Sequence, residues 1–310
     1  MNQNGSDIPE IQLKELDALW FQIAGTRCNL TCTHCFISCS PHNDNYGFLP
    51  LDTVQHWLRE SQKWGVREFY FTGGEPFLHP HMTQILLETL RVGPATVLTN
   101  GTVLKDEWLR ELKEAASGVY SLEFRVSLDG FSPETNDPIR GERSFDRTIA
   151  GVMRLVEYGF LPIITAARVW DDDQEDRVVE SFVKMLRQRG YERPRLKLLP
   201  KLKLGAEAQR TSGYKEDERV TSAMIEEVDS NAFLCSHSRI VTDRGIHVCP
   251  LLIDSPESLL GQTLEEASKP FPMEHGACWT CYQHGAICSN LPSVKATSTL
   301  EPPRSMGDHA

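Results

Sequence analysis

Six times between residues 19 and 199, the chain passes from a short apolar run to a longer amphipathic stretch. The short runs are residues 19–23, 67–72, 95–99, 121–128, 162–168 and 195–199, rich in apolar, β-branched and aromatic residues and bounded by turn formers. They read as strands. The stretches between them read as helices, the first over residues 52–64 with Asp52 and Gln55 spaced as a capping box. Gly65, Gly93, Gly159 and Gly190 follow helical stretches where a left-handed residue ends a helix. Repeated strand–helix units imply a parallel α/β sheet with right-handed crossovers. Six units are too few to close an eightfold barrel. The expected fold is a partial (β/α)6 TIM-like barrel with its working loops at the C-terminal strand ends.

This alternation divides the chain. Residues 1–17 form an N-terminal extension and 18–204 the barrel core. Residues 205–232 are polar and read as a linker or helical connection, and 233–290 as a small cysteine-rich module. Residues 291–310, rich in Ser, Pro and Thr, are expected to be disordered. The small module has little periodicity, so bound metal is expected to supply part of its stability.

Charge and cysteine usage narrow the function. The 32 basic and 43 acidic residues leave a net charge of −11, which repels phosphate backbones and argues against a nucleic-acid partner. No apolar run is long enough to span a membrane, and residues 1–10 lack the apolar core of a signal peptide, so a cytoplasmic protein is expected. In a reducing compartment, nine cysteines point to metal rather than to disulfides. Cys28, Cys32, Cys35 and Cys39 lie near the start, and Cys235, Cys249, Cys278, Cys281 and Cys288 near the end. That layout predicts two metal sites.

The first group is the segment Cys28-Asn29-Leu30-Thr31-Cys32-Thr33-His34-Cys35, placed directly after the first strand. Three thiolates can hold three corners of a cubane iron–sulfur cluster, leaving one iron open to an outside ligand. A zinc site completed by His34 or Cys39 is the alternative. His34, adjacent to Cys35, is poorly placed to reach the same ion, and Cys39 reads as a bystander.

The Cys-x-x-x-Cys-x-x-Cys spacing after the first strand resembles the radical S-adenosylmethionine (SAM) superfamily. The resemblance implies a [4Fe–4S] cluster that chelates SAM and passes it one electron. The sulfonium then cleaves to methionine and a 5′-deoxyadenosyl radical, which takes a hydrogen atom from a substrate. The second strand ends in Thr72-Gly73-Gly74-Glu75-Pro76, matching the family's Gly-Gly-Glu motif for the amino group of SAM. Read on their own, two glycines allow close backbone approach and Glu75 offers an acceptor. The strand ends Thr99-Asn100-Gly101 and Ser127-Leu128-Asp129-Gly130 resemble the family's contacts to ribose and carboxylate, which carries over Asn100 and Ser127. Asp129 reads equally as a turn former. Arg168 could pair with the SAM carboxylate through its forked donors. Arg140 is the weaker candidate and reads as a surface salt bridge.

In the second group, Cys235 and Cys249 flank a segment that reads as a hairpin turning at Asp243-Arg244-Gly245, and Cys278-Trp-Thr-Cys281 and then Cys288 follow. Four thiolates saturate a cluster or a zinc ion. The layout resembles the C-terminal auxiliary-cluster modules called SPASM and twitch. A full SPASM module has seven cysteines, so five imply one auxiliary Fe–S cluster, with Cys235, Cys249, Cys278 and Cys281 as ligands and Cys288 as a substitute. Structural zinc is the alternative.

Together these readings predict an oxidoreductase or maturase acting on a small-molecule or peptide substrate, served by an electron donor such as flavodoxin or ferredoxin. The short segment before the first strand leaves no room for a separate N-terminal peptide-recognition domain, which favours a small molecule or a directly recognised protein. A peptide- or protein-modifying maturase, a zinc-stabilised non-catalytic binding protein and a nucleic-acid-modifying enzyme are the other readings. The residue that gives or takes the last proton is not legible.

Overall fold

The structure, a computed structural model, describes residues 7–285 and Ile287. In chain order its strands and helices are β1 (Glu10–Ile11), β2 (Ala18–Gln22), α1 (Leu51–Lys63), β3 (Glu68–Thr72), α2 (Met82–Thr89), β4 (Ala95–Thr99), α3 (Asp106–Ala115), β5 (Leu122–Ser127), α4 (Pro133–Arg140), α5 (Ser144–Glu157), β6 (Ile163–Ala167), α6 (Glu175–Gln188), β7 (Arg195–Leu199), α7 (Gly205–Thr211), α8 (Ser222–Ile225), β8 (Ser238–Thr242), β9 (Gly245–His247), β10 (Leu259–Gly261), β11 (Phe271–Pro272) and α9 (Gly276–His284).

One sheet runs in the order β10-β9-β8-β2-β3-β4-β5-β6-β7. Strands β2 to β7 are parallel neighbours in sequence order, as the strand–helix repeat predicts. The sheet does not stop there. β8 pairs in parallel with the outer side of β2, and β9 and β10 continue from it antiparallel. The parallel array therefore has seven strands instead of six. A strand of five residues followed by a tight turn announces a hairpin, but nothing local announces its partner on the far side of the chain.

The alternation of side chains along β2 divides the interior. Leu19 and Phe21 face the helices, where Phe21 stacks on Phe71 with ring centroids 5.3 Å apart. Trp20 points to the concave face and stacks on Tyr70 at 4.1 Å, in a cluster that also holds Cys28, Cys39 and Ile240. All five residues of β2 are buried, as strands covered on both faces require. Helix α1 turns Val54, Trp57, Leu58 and Ser61 inward, the spacing of one helical stripe.

Two local readings need correction. Pro50 is the N-cap of α1 and Asp52 bonds only the adjacent Thr53 amide, so Asp52 and Gln55 form no capping box. Proline supplies a preset φ at the helix entrance instead. Gly65, Gly159 and Gly190 have positive φ, but Gly93 does not. Gly93 is small because a Cβ there would lie 2.7 Å from the Phe69 ring. Among the described residues, no helix is long and apolar enough to cross a membrane.

Candidate functional site

Two backbone hydrogen bonds tie the loop after β2 to the loop after β3. The Gly74 amide donates to the Gly25 carbonyl at 3.0 Å, and the Glu75 amide to the Arg27 carbonyl at 2.9 Å. A Cβ on Gly74 would lie 1.9 Å from the Arg27 oxygen and 2.8 Å from the Cys28 nitrogen. Gly73 has a φ of +126°, and a Cβ there would approach the Ala24 nitrogen to 2.9 Å. The glycines thus allow two backbones to touch just where the cysteine segment begins. Gly74→Ala has no flexible side chain to displace, so it must push Cys28 away. We expect this variant to lose at least about 2 kcal/mol of stability, the scale of overpacking, and to retain less iron after reconstitution. Wild-type iron content and an unchanged unfolding midpoint would contradict this.

Cys28, Cys32 and Cys35 line one cavity of about 220 Å³ together with Gly73, Gly74, Asn100 and Ser127. It opens at the C-terminal strand ends, the working end of this architecture. Cys39 lines the same cavity, and its amide donates to the Cys35 sulfur at 3.2 Å. Further donors approach the other sulfurs: the Leu30 amide and Asn100 Nδ2 lie 3.5 Å and 3.7 Å from Cys28, and Arg140 Nη1 lies 4.0 Å from Cys32. Burial pushes the Cys28 thiol up to about 12 and the Cys32 thiol up to about 11. Hydrogen bonding from Cys39 draws Cys35 down to about 6. Buried thiols of this kind become thiolates when a metal supplies the compensating charge.

Two residues singled out from sequence are placed elsewhere. Arg168 is not among the residues lining the cavity. Its guanidinium grips Glu175 in a fork, Nε to Oε2 at 2.8 Å and Nη2 to Oε1 at 3.0 Å. Glu75 is fully buried beneath the cavity wall. It accepts from Thr99 Oγ1 and the Asn100 amide, each at 2.7 Å, and from the Phe77 amide at 3.1 Å. Burial raises its pKa against those hydrogen bonds. In this geometry Glu75 holds the end of β4, and so Asn100, in position.

Arg140, read from sequence as a surface salt bridge, is buried and lines the cavity. Its Nε lies 2.5 Å from Asp129 Oδ2, and His34 Nε2 lies 2.8 Å from the same oxygen. The other Asp129 oxygen accepts the Ala167 amide at 2.7 Å. Asp129 is therefore no mere turn former: it ties β5, β6, α4 and the cysteine loop together. Burial would raise its pKa, but Arg140 and His34 overcome this and hold the carboxyl well below the usual carboxylate range. His34 is directed at Asp129, away from a shared ion with Cys35. The available signal was period two: Ser127 and Asp129 lie on the same face at the end of one strand.

At the other end of the chain, Cys235, Cys249, Cys278 and Cys281 line one small cavity of about 20 Å³ with Leu234, Val248 and other apolar residues. Cys235 precedes β8 and Cys249 follows β9, whose turn pairs Thr242 with Gly245 as the hairpin reading expects. Cys278 and Cys281 lie one turn apart on α9, which His275 caps through the Ala277 amide at 3.1 Å. Burial pushes Cys278 up to about 12, Cys281 up to about 11 and Cys235 well above the ordinary thiol value. Beside them the fully buried Arg239 donates to the carbonyls of Ala267, Cys235 and Ser238, each at 2.7 Å, and its Nη2 has no hydrogen-bond partner among the described residues. A buried cation with a spare donor suits a site that carries negative charge. Cys288 lies outside the described residues.

Among the described residues, no three Cys, His, Asp or Glu side chains converge as ligands of a single metal ion would.

The comparisons agree with this architecture. The sequence matches the radical SAM superfamily over residues 23–186. It is 37% identical over 145 residues to the AdoMet-dependent heme synthase of Methanosarcina barkeri, covering 46% of this chain and 40% of that protein. It is 32% identical over 135 residues to AlbA, the antilisterial bacteriocin subtilosin biosynthesis protein of Bacillus subtilis, covering 43% of this chain and 29% of that one. The chain thus matches less than half the length of either relative. Among solved structures, native anSMEcpe with bound AdoMet superposes with a TM-score of 0.60 at 18% identity, covering 81% of this chain and 79% of that chain. SuiB of Streptococcus suis, bound to its precursor peptide SuiA, gives 0.58 at 14% identity, covering 79% and 62%. Both share the α/β fold. Matched over more than half of its residues, the chain belongs to the radical SAM superfamily, a family of enzymes built around a [4Fe–4S] cluster and S-adenosylmethionine.

Proposed function

We propose that the chain is a radical SAM oxidoreductase or maturase with two iron–sulfur sites. In this reading Cys28, Cys32 and Cys35 hold the catalytic [4Fe–4S] cluster. Gly73, Gly74, Asn100 and Ser127 offer backbone and polar contacts to SAM. Arg140 takes the carboxylate role that the sequence alone suggested for Arg168, because Arg140 lines the cavity and Arg168 is committed to Glu175. Glu75 acts by positioning Asn100. The observation that carries the reading is the meeting of three thiols with the Gly73-Gly74 backbone in one cavity.

When bound, the cluster and SAM supply a one-electron cleavage that yields a 5′-deoxyadenosyl radical able to take hydrogen from a substrate. The chain's own part is to hold and shield. Trp20, Leu30, Phe36, Ile37 and Leu98 give the cavity apolar walls that keep out water. Asp129 fixes Arg140 and the cysteine loop relative to each other. Ala206, at the start of α7, donates to the Cys35 carbonyl at 3.0 Å and closes the loop from the outside.

The second site is read as one auxiliary cluster on Cys235, Cys249, Cys278 and Cys281, in a SPASM- or twitch-like module of residues 233–290, with Cys288 available as a substitute. Four buried thiols lining one cavity, next to the Arg239 cation, support a shared metal site there, with structural zinc on the same thiols as the alternative. Such a cluster would take up an electron after hydrogen abstraction and make the net reaction an oxidation. A peptide substrate is the second reading of specificity, supported by fold neighbours bound to SuiA or to the Cp18Cys peptide.

The test is direct. Protein purified anaerobically and reconstituted with iron and sulfide should be brown, and with SAM and dithionite should release 5′-deoxyadenosine. A colourless protein that leaves SAM intact under reduction would overturn the reading.

A further inference from the structure

β8 carries a cation into the apolar core. Its parallel register with β2 sets Arg239 against Leu19 and Val241 against Phe21. Leu19 and Phe21 face the helices, so Arg239 lies on that side of the sheet, away from Trp20 and the first cavity. Cys235, Cys249, Cys278 and Cys281 belong to the same apolar core as Leu19 and Val241.

Arg239 is fully buried, and its hydrogen bonds leave its charge unanswered. Nε donates to the Ala267 carbonyl, and Nη1 to the carbonyls of Cys235 and Ser238. Carbonyls solvate a guanidinium but carry no net charge. The remaining nitrogen, Nη2, bears two N–H groups and has no hydrogen-bond partner among the described residues. The charges that act in favour of the cation are thiolates. Burial pulls the Arg239 pKa down to about 10, and Cys235 and Cys249 push it up. A buried cation is tolerated when an anion compensates it. Four thiolates bound to an iron–sulfur core make such an anion, and one more electron makes it more negative still.

We propose that Arg239 is the counter-charge built for the second site: its spare Nη2 donates to a sulfur of the bound cluster and raises the reduction potential of that cluster. The inference rests on the reading of Cys235, Cys249, Cys278 and Cys281 as holding an iron–sulfur cluster, and adds to it the residue that tunes the cluster. An electron added beside Arg239 gains attraction that an apolar surrounding screens poorly. Net charge and hydrogen bonds to sulfur are among the terms that set such potentials. Arg239 thus acts through the cluster and is a positioning residue.

The Cys28→Ala/Cys32→Ala/Cys35→Ala protein, reconstituted with iron and sulfide, isolates the second site. It is titrated with dithionite while electron paramagnetic resonance follows the reduced cluster. Adding Arg239→Met should make reduction about tenfold less favourable, a fall of about 59 mV for a one-electron couple. Arg239→Lys keeps the charge and should recover most of that fall. Iron content is measured on each variant, so a lost cluster is not read as a shifted one. In the parent, arginine with isotope-labelled guanidinium nitrogen should show hyperfine coupling to the reduced cluster, and Arg239→Lys should remove that coupling. An unmoved midpoint in Arg239→Met, or no such coupling in the parent, overturns the proposal. If Arg239→Met empties the site of iron, the coupling in the parent decides alone. A parent that retains zinc and no iron defeats the underlying reading, whereas an iron cluster indifferent to Arg239 defeats this inference alone.

Discussion

Asp129→Ala should destabilise the protein by about 3–5 kcal/mol at neutral pH, the range found when one partner of a buried ion pair is removed. The side chain of Asp129 is wholly inaccessible, and its deletion leaves Arg140 buried beside Cys32 with its charge uncompensated. It also frees His34 and the Ala167 amide at once. Asp129→Asn keeps the shape and loses the charge, so comparing it with wild type isolates electrostatics from packing. The pH dependence has a definite sign. A carboxyl depressed in the folded state adds stability above its unfolded pKa, about 3.9, and that stability is lost as pH falls through the folded value. The gap between wild type and Asp129→Asn should therefore be constant above about pH 5 and shrink steadily below about pH 4. Urea unfolding across this range measures both effects. A loss under about 1 kcal/mol for Asp129→Ala would show that water or relaxation replaces the carboxylate, against its assignment as the tie between loop and barrel.

The second large effect concerns iron. Replacing Cys28, Cys32 and Cys35 together by Ala should bring 5′-deoxyadenosine formation down to background. It should also remove about four irons per chain from the reconstituted protein. About four should remain on the second site if Cys235, Cys249, Cys278 and Cys281 hold a cubane cluster. Metal analysis of this one variant thus reads the two sites separately. Product formation at the wild-type rate would sink the cysteine assignment. Retained zinc with no iron would end the auxiliary-cluster reading while leaving the first site untouched.

What the sequence made legible was what is local along the chain. Cys28, Cys32 and Cys35 lie within one loop, so their spacing alone suggests a shared metal site, with a cluster and zinc both open. Gly73-Gly74-Glu75 is equally compact, though the motif could not reveal that Glu75 turns beneath the wall towards Thr99. The choice between Arg140 and Arg168 was not local. It depends on α4 returning across the cysteine loop, where the Thr33 amide donates to the Ile139 carbonyl at 2.9 Å and brings Arg140 inward. Arg168 is held outward by an acid on the following helix, a contact that both surface and buried arginines could make. The turn at Thr242–Gly245 was readable from its residues, but the pairing of β8 with β2 joins segments more than two hundred residues apart, for which composition holds no signal.

The parallel seam between β2 and β8 makes the two cysteine sites mechanically one body. Ala18, Leu19, Trp20 and Phe21 each have a β8 partner, and the first cysteine segment leaves from the far end of that same strand. Any distortion at Cys235 or Cys249 reaches Cys28 through a few rungs of sheet instead of across a hinge. Electron exchange between the sites would thus run over a distance frozen by the fold, and severing the C-terminal part would unzip the strand on which the first site is built.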